Sequence, residues 1–151
     1  MILSYPATII VRSARENPRK CSVLPLRGRP DLVFLGYPAP RRPALEGYIR
    51  LAAEGEELSP DDAGSGLLVL DGSWRWAERM NRDFLDLPPR SLKGYSSAYP
   101  RRSKQGTDPD NGLASVEALF LAYHILGRPT AGLLDHYRWA EEFLLLNRER
   151  I

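Results

Sequence analysis

Short apolar or β-branched runs, each bounded by glycine, proline or charged residues, dominate the first half of the chain. Three of these runs predict buried strands, at residues 7–11, 32–35 and 67–70. Because apolar residues fill successive positions, both faces of each strand are expected to be covered, as in a parallel sheet. The third run, Leu67 to Leu70, stops on Asp71 and Gly72 and is expected to lead into a helix. The pattern therefore predicts an α/β fold.

Apolar residues at helical spacing predict four helices. The helices are expected at residues 43–54, 73–84, 113–126 and 130–149, with an exposed acidic loop at residues 55–65. Gly127 is well placed to end the third helix, because glycine adopts the left-handed conformation that often follows a helix. Residues 90–112 form a long irregular stretch that joins two tyrosines to a basic cluster. Such a stretch is either a nucleotide-binding segment or a flexible insertion.

The composition narrows the class of protein. A chain of 151 residues with 43% hydrophobic residues fits one domain, or two small lobes that share a core. No run reaches the about 18 apolar residues of a membrane span. Residues 1–6 lack the features of a signal peptide, so a cytosolic protein is expected. The single cysteine, Cys21, excludes an internal disulfide and a thiolate zinc cluster. The two histidines of the chain offer few ligands for a catalytic metal.

The net charge of +2 hides an asymmetry between the two parts of the chain. Residues 1–50 hold nine Lys and Arg against three acids, and the remainder holds twelve against sixteen. A basic segment on an otherwise acidic chain indicates a surface for a polyanion, although arginine is also common in ordinary loops. The candidates for contacts with nucleic-acid phosphates are Arg15, Arg19, Lys20, Arg41, Arg42, Arg101, Arg102 and Lys104.

Candidate binding residues follow the predicted strands. Asp71 and Trp74 would lie at the carboxyl edge of a parallel sheet, where α/β proteins bind ligands. Alternatively, Asp71 caps the next helix and Trp74 packs beneath it. Ser22 could hydrogen-bond a ligand carboxylate or phosphate, or could cap a helix or turn. Cys21 is expected to be a small buried residue and not a nucleophile, because no histidine lies near it in the sequence.

Four motifs carry a resemblance to a known family. The segment Leu70-Asp71-Gly72-Ser73-Trp74 resembles the Asp-Thr-Trp or Asp-Cys-Ser-Trp signature of RNA aminocarboxypropyltransferases. Residues 17–22, 112–118 and 139–147 resemble three further motifs of that family, in the same order. One branch of the family modifies a pseudouridine of small-subunit rRNA, and the other, the DTW-domain branch, modifies a uridine of tRNA. Residues 96–100 depart from the rRNA pattern and the following basic stretch is closer to the tRNA branch, so both RNAs stay open.

The resemblance implies a fold, a cofactor and a set of site residues. It implies an α/β lobe with a mainly parallel sheet over residues 1–90, which carries the RNA-facing surface and half of the cofactor pocket. A loop and a helical lobe over residues 91–151 would complete the pocket, in a knotted topology like that of SPOUT methyltransferases. The implied cofactor is S-adenosylmethionine. The residues implied to bind it are Ser22, Leu35, Pro38, Leu70, Trp74, Leu113 and Ser115, with Ser22 at the amino-acid tail.

The implied reaction moves the 3-amino-3-carboxypropyl group of S-adenosylmethionine to N3 of a uridine or pseudouridine in rRNA or tRNA. The sulfonium is already an activated leaving group, so the protein must mainly supply geometry. The base must lose its N3 proton, and Asp71 is expected to accept that proton or to orient the base. Two alternatives remain at this point, a SPOUT-like RNA methyltransferase with the same pocket and a non-catalytic RNA-binding factor of ribosome assembly.

Overall fold

The computed structural model describes residues 4–14, 21–38, 41–72, 74–100 and 112–151, except for the side chains of residues 74, 75 and 77. Five strands of this described chain form one sheet in the order β2-β1-β4-β3-β5. The strands are β1 (Thr8–Ser13), β2 (Leu32–Tyr37), β3 (Tyr48–Glu57), β4 (Gly66–Asp71) and β5 (Pro89–Ser91). Every neighbouring pair is parallel, so the carboxyl ends of all five strands lie at the same edge.

The described residues also contain three α-helices and two short 3-10 turns. The helices are α1 (Trp74–Arg82), α2 (Ser115–Leu126) and α3 (Ala140–Leu146), and the 3-10 turns are Leu24–Leu26 and Pro60–Asp62. None of the helices in the described ranges is long and apolar enough to cross a membrane.

The sheet separates two apolar clusters. Alternate side chains of the strands point to opposite faces. On one face, Ile10 and Val69 belong to a cluster with residues of α2 and with Phe143 of α3. On the other face, Val11 and Leu68 pack in a cluster with Met80 of α1. The central strands β1 and β4 are therefore covered on both sides, as their uninterrupted apolar sequences predict, and the α/β fold with a parallel sheet is confirmed.

The helix predicted over residues 43–54 is wrong. Residues 48–57 form the strand β3, which pairs with β4 on one side and β5 on the other. Gly47 adopts a φ of +78°, a left-handed conformation that interrupts any helix passing through it. The apolar spacing of the segment fits a helix. The strand forms because the segment pairs with β4 and β5, and local periodicity does not predict pairing between segments that are distant in sequence. The predicted acidic loop at residues 55–65 is accordingly shorter, and it includes the turn Pro60–Asp62.

The two C-terminal helices agree with the sequence to different degrees. Helix α2 ends at Gly127, which has a φ of +72°, as predicted. The single helix predicted over residues 130–149 is wrong in its first half, where the chain forms turns and Gly132 has a φ of +84°. Phe143 is buried as expected, but Leu144 is 40% exposed and does not belong to the core.

Gly55 lies in β3 where the register with β5 shifts, between Leu51 and Glu56. This residue has a φ of +95°, and a Cβ added to it would lie 2.5 Å from the carbonyl oxygen of Pro89. We expect Gly55→Ala to lower the free energy of unfolding by about 2 kcal/mol or more, because it adds backbone strain and a clash with main-chain atoms. Urea denaturation measures the loss. The matched control is Gly64→Ala, since a Cβ there meets nothing within 4 Å. An equal loss in both variants would contradict the prediction.

Candidate active site

The carboxyl end of β4 places Asp71 at the edge of the sheet. Leu67, Leu68 and Val69 of this strand are buried and Leu70 is half-buried, and the strand lies between β1 and β3. Arg12 of β1 lies opposite Asp71 in the strand register, so the two side chains meet at the same edge. Asp71 itself is only 5% exposed. A buried carboxylate must find charged or hydrogen-bonding partners, and these partners define the site.

Three side chains surround the Asp71 carboxylate. The Ser115 hydroxyl donates to Oδ1 at 2.6 Å, and the Cys21 thiol donates to Oδ2 at 2.9 Å. The Nε of Arg12 lies 3.8 Å from Oδ2 and also donates to the Cys21 sulfur at 3.3 Å. We call these four residues, Arg12, Cys21, Asp71 and Ser115, the carboxylate cluster. Its members come from β1, the following loop, β4 and the start of α2, so the cluster joins distant parts of the chain.

Cys21 acts as a hydrogen-bond donor in this cluster. Burial raises the pKa of its thiol, and the adjacent charge of Asp71 and the hydrogen bond to Asp71 raise the pKa further. The sulfur therefore keeps its proton and directs it at the carboxylate. The sequence predicts a small buried residue at this position, which is correct, but it does not predict the contact with Asp71. The available signal was the position of Cys21 next to Ser22 within one family motif.

Ser22 caps helix α2 by contacting a residue 94 positions later in the chain. Its Oγ accepts a hydrogen bond from the Val116 amide at 3.2 Å, within the first turn of α2. The N-cap residue of α2, Ala114, has no side-chain oxygen to do so. The capping alternative for Ser22 therefore describes its contact, although the helix is not one that follows it in sequence. Its role toward a cofactor stays a prediction.

A cleft of about 660 Å³ opens beside the carboxylate cluster. Its described lining comes from residues 51–53 of β3, the end of β4, residues 91–96 and the start of α2. Sites for small molecules commonly enclose about 300–1,000 Å³, so the cleft is large enough for a nucleoside. Three of the predicted cofactor residues line it, namely Leu70, Leu113 and Ser115.

Besides Ser22, which is not part of the described lining of the cleft, three predicted cofactor residues remain. Leu35 is half-buried on β2, and the exposed Pro38 follows that strand. Strand β1 separates β2 from β4, and neither residue belongs to the described lining of the cleft. The side chain of Trp74 lies outside the described part of the structure. The roles of these three residues stay predictions.

Two of the predicted RNA-contacting residues are described. Arg41 is exposed to solvent. Arg42 forms an ion pair with Asp86 at 2.5 Å and donates to the main-chain oxygen of Asp83 at 3.1 Å. Its guanidinium is thus held by the acidic segment after α1. The other six lie outside the described residues: Arg15, Arg19, Lys20, Arg101, Arg102 and Lys104.

Two buried polar residues, neither of them predicted from the sequence, support the wall of the cleft. Glu117 of α2 is fully buried and accepts hydrogen bonds from the Ser97 hydroxyl at 2.6 Å and the Ala98 amide at 2.8 Å. Asn147 accepts from the Ser96 amide at 2.7 Å and donates to the Ser96 carbonyl oxygen at 2.9 Å. Segment 96–98 is therefore clamped from two sides. Both residues fall within family motifs, which was the available signal.

Known proteins resemble this chain in sequence and in structure. No family model matches the chain. A protein of Methanosarcina acetivorans named 16S rRNA aminocarboxypropyltransferase is 30% identical over 145 residues, which cover 93% of this chain and 80% of the relative. A protein of the same name from Methanocaldococcus jannaschii is 27% identical over 154 residues, which cover 98% of this chain and 86% of the relative.

A solved structure has a similar fold. It is the SAM-dependent rRNA:acp-transferase Tsr3 from Vulcanisaeta distributa, with a TM-score of 0.73 and 22% identity, covering 95% of this chain and 79% of the solved one. The sheet, the cleft and this likeness define an α/β protein with the fold of Tsr3. The identity to the Methanosarcina protein goes further, and the chain belongs to the family of 16S rRNA aminocarboxypropyltransferases. The family resemblance read from the four motifs is confirmed.

Proposed function

We propose that this chain transfers the 3-amino-3-carboxypropyl group of S-adenosylmethionine to N3 of a uridine or pseudouridine in 16S rRNA. The observation that carries the proposal is a buried carboxylate, Asp71, hydrogen-bonded to a hydroxyl that lines a nucleoside-sized cleft. The names of the relatives support rRNA as the substrate over tRNA.

The lining of the cleft fits S-adenosylmethionine in size and chemistry. Leu70 and Leu113 offer apolar surface for the adenosine, and the Ser115 hydroxyl offers a polar contact. Small-molecule sites typically combine apolar walls with a few polar groups in this way. The neighbouring Ser22 hydroxyl remains our candidate for the amino-acid tail, next to its contact with the α2 amide. When bound, S-adenosylmethionine supplies a carbon that is already activated by its sulfonium.

The chain's own task is to hold a pyrimidine in line with that carbon and to remove its proton. Proximity and orientation can supply much of the rate enhancement of such a transfer. Asp71 is our candidate for the group that finally holds the N3 proton, because it is a carboxylate within one hydrogen bond of the cleft. Exposed arginines such as Arg41 would hold RNA phosphates, which would make binding sensitive to salt.

The proposal includes the organisation of the chain. The lobes would be residues 1–90 and 91–151, joined in a knotted topology of the SPOUT type. Two observations support a pocket shared by the two parts: the cleft is lined by residues from both, and the cap of α2 comes from Ser22 in the first part.

Labelled S-adenosylmethionine tests the activity directly. Small-subunit RNA from a strain in which the gene is deleted is incubated with the protein and either carboxyl-labelled or methyl-labelled S-adenosylmethionine. We expect carboxyl label in the RNA and no methyl label, because the methyl group departs with the sulfur. Methyl label alone would identify a methyltransferase. Absence of both labels, together with no binding of S-adenosylmethionine, would identify a non-catalytic RNA-binding factor.

A further inference from the structure

We propose that Ser115 is a catalytic residue, whose hydroxyl takes the N3 proton of the RNA base and passes its own proton to Asp71. This inference rests on the proposed function and assigns the step that connects the cleft to the buried acid. It changes the role of Ser115 from a contact for the cofactor to a relay for the proton.

The two side chains differ in their access to the cleft. Ser115 is half-buried and lines the cleft, whereas Asp71 is 5% exposed and is not part of the described lining. A general base must come within about 2.6–3.2 Å of the proton that it removes, or act through one bridging group. The Ser115 oxygen lies 2.6 Å from Asp71 Oδ1 and supplies that bridge.

The direction of the hydrogen bond suits a relay. An ionised carboxylate has no proton to give, so the Ser115 hydroxyl must be the donor to Asp71. A hydroxyl carries one proton and two lone pairs, so the lone pairs of Ser115 are left to accept a hydrogen bond. Within the described residues, the hydrogen bond to Asp71 is the only one recorded for this side chain. The N3–H group of a uracil ring is a donor of the matching kind.

The rest of the carboxylate cluster leaves Oδ1 as the oxygen that receives the proton. Oδ2 accepts from the Cys21 thiol and faces the guanidinium of Arg12 at 3.8 Å. Burial and the charge of Asp71 raise the pKa of Cys21, so its thiol remains a donor and holds the carboxylate in place. The Ser22 hydroxyl fixes the first turn of α2, from which Ser115 projects.

The step balances in atoms and charge. The N3–H bond breaks as its proton moves to the Ser115 oxygen, and the original Ser115 proton moves to Asp71 Oδ1. The N3 electron pair forms the new bond to the carbon of the aminocarboxypropyl group. The bond from that carbon to sulfur breaks, and its electron pair stays on sulfur, which leaves as a neutral thioether. Asp71 ends as a carboxylic acid and returns the proton to solvent after the product leaves.

Substitutions at residue 115 test the relay. For Ser115→Ala we expect the rate of transfer at saturating S-adenosylmethionine to fall about 10- to 100-fold, since a water replaces the hydroxyl only imperfectly. The dissociation constant of S-adenosylmethionine, measured by titration calorimetry without RNA, is expected to stay within about threefold. Ser115→Thr keeps a hydroxyl and should recover most of the rate. Ser4→Ala, which changes an exposed serine ahead of β1, is the matched control.

The double variant separates a relay from two independent contributions. If Ser115 acts through Asp71, Ser115→Ala should add little to the loss in Asp71→Asn, because residues that act as one unit are not additive. If the rate losses of the two single variants multiply in the double variant, the two residues act independently and the relay is overturned. Weaker binding of S-adenosylmethionine by Ser115→Ala, with an unchanged rate at saturation, would also overturn it and make Ser115 a cofactor ligand. If the unaltered protein transfers no carboxyl label, the proposed function fails as well, whereas transfer that is unaffected in Ser115→Ala removes the relay alone.

Discussion

The variant Asp71→Asn is expected to lower the rate of aminocarboxypropyl transfer by about 10²- to 10⁴-fold, the usual contribution of a general base. The amide has the shape of the carboxylate but cannot accept the proton. It also turns an NH₂ group toward either Ser115 or Cys21, both of which are donors in this cluster. The affinity for S-adenosylmethionine should change by no more than about threefold, because Asp71 does not belong to the described lining of the cleft. Single-turnover measurements with carboxyl-labelled S-adenosylmethionine report the rate, and calorimetry reports the affinity.

The control for this variant is Asp61→Asn, which changes an exposed carboxylate in the turn Pro60–Asp62. Its transfer rate should match that of the unaltered protein. A circular dichroism melt of Asp71→Asn must also show a cooperative transition, because removing one member of a buried charge pair can be strongly destabilising. If the variant is folded and transfers at the normal rate, Asp71 is a structural residue and the proton leaves by another route.

The centre of the sheet could be predicted from local sequence. The run from Leu67 to Leu70 is apolar at every position, which only a strand covered on both faces or a buried helix accommodates. Its short length and the glycines at both ends favour the strand. The same information placed Asp71 at the carboxyl edge, because a parallel strand that ends on a carboxylate must present it there.

The edge of the sheet could not be predicted in the same way. Strand β3 contains Tyr48, Ile49 and Ala52 at positions that also fit a helix. It also pairs with β5, more than thirty residues later in the sequence. Local periodicity carries no information on such a pairing. The better signal was Gly47, since a glycine between two apolar segments often marks a change of element.

The partners of the Asp71 carboxylate could not be predicted from local sequence either. The chain places Cys21 and Ser115 on either side of Asp71 from positions 50 and 44 residues away. Only the order of the family motifs suggested that these residues belong together. The hydrogen bonds of Glu117 and Asn147 are of the same kind, because each reaches a loop that lies far from it in sequence.

The second large effect is expected on stability, at Glu117. Its carboxylate accepts four hydrogen bonds, from the Ser97 hydroxyl, the Ala98 amide, the Ala114 amide and the Tyr137 hydroxyl. Glu117→Ala leaves these donors without an acceptor at a fully buried position. Each unsatisfied buried donor lowers the free energy of unfolding by about 1–3 kcal/mol. Water is expected to hydrogen-bond to some of these donors. We therefore expect a total loss of about 3–5 kcal/mol in the free energy of unfolding, measured by urea denaturation. That loss is a large share of the stability of a typical domain.

The control is Glu78→Ala, which removes an exposed carboxylate from α1 and should change the stability by less than about 0.5 kcal/mol. Glu117→Gln keeps the shape of the side chain but turns an amide NH₂ group toward hydrogen-bond donors. Its loss of stability should therefore fall between those of Glu117→Ala and Glu78→Ala.

Glu117→Ala should also weaken the binding of S-adenosylmethionine, because Ser96 lines the cleft and segment 96–98 is attached to α2 through Glu117. Asn147→Ala releases the same segment from the side of α3 and should weaken binding in the same way. If Glu117→Ala costs less than about 1 kcal/mol, the four donors have found other acceptors, and Glu117 does not hold the wall of the cleft.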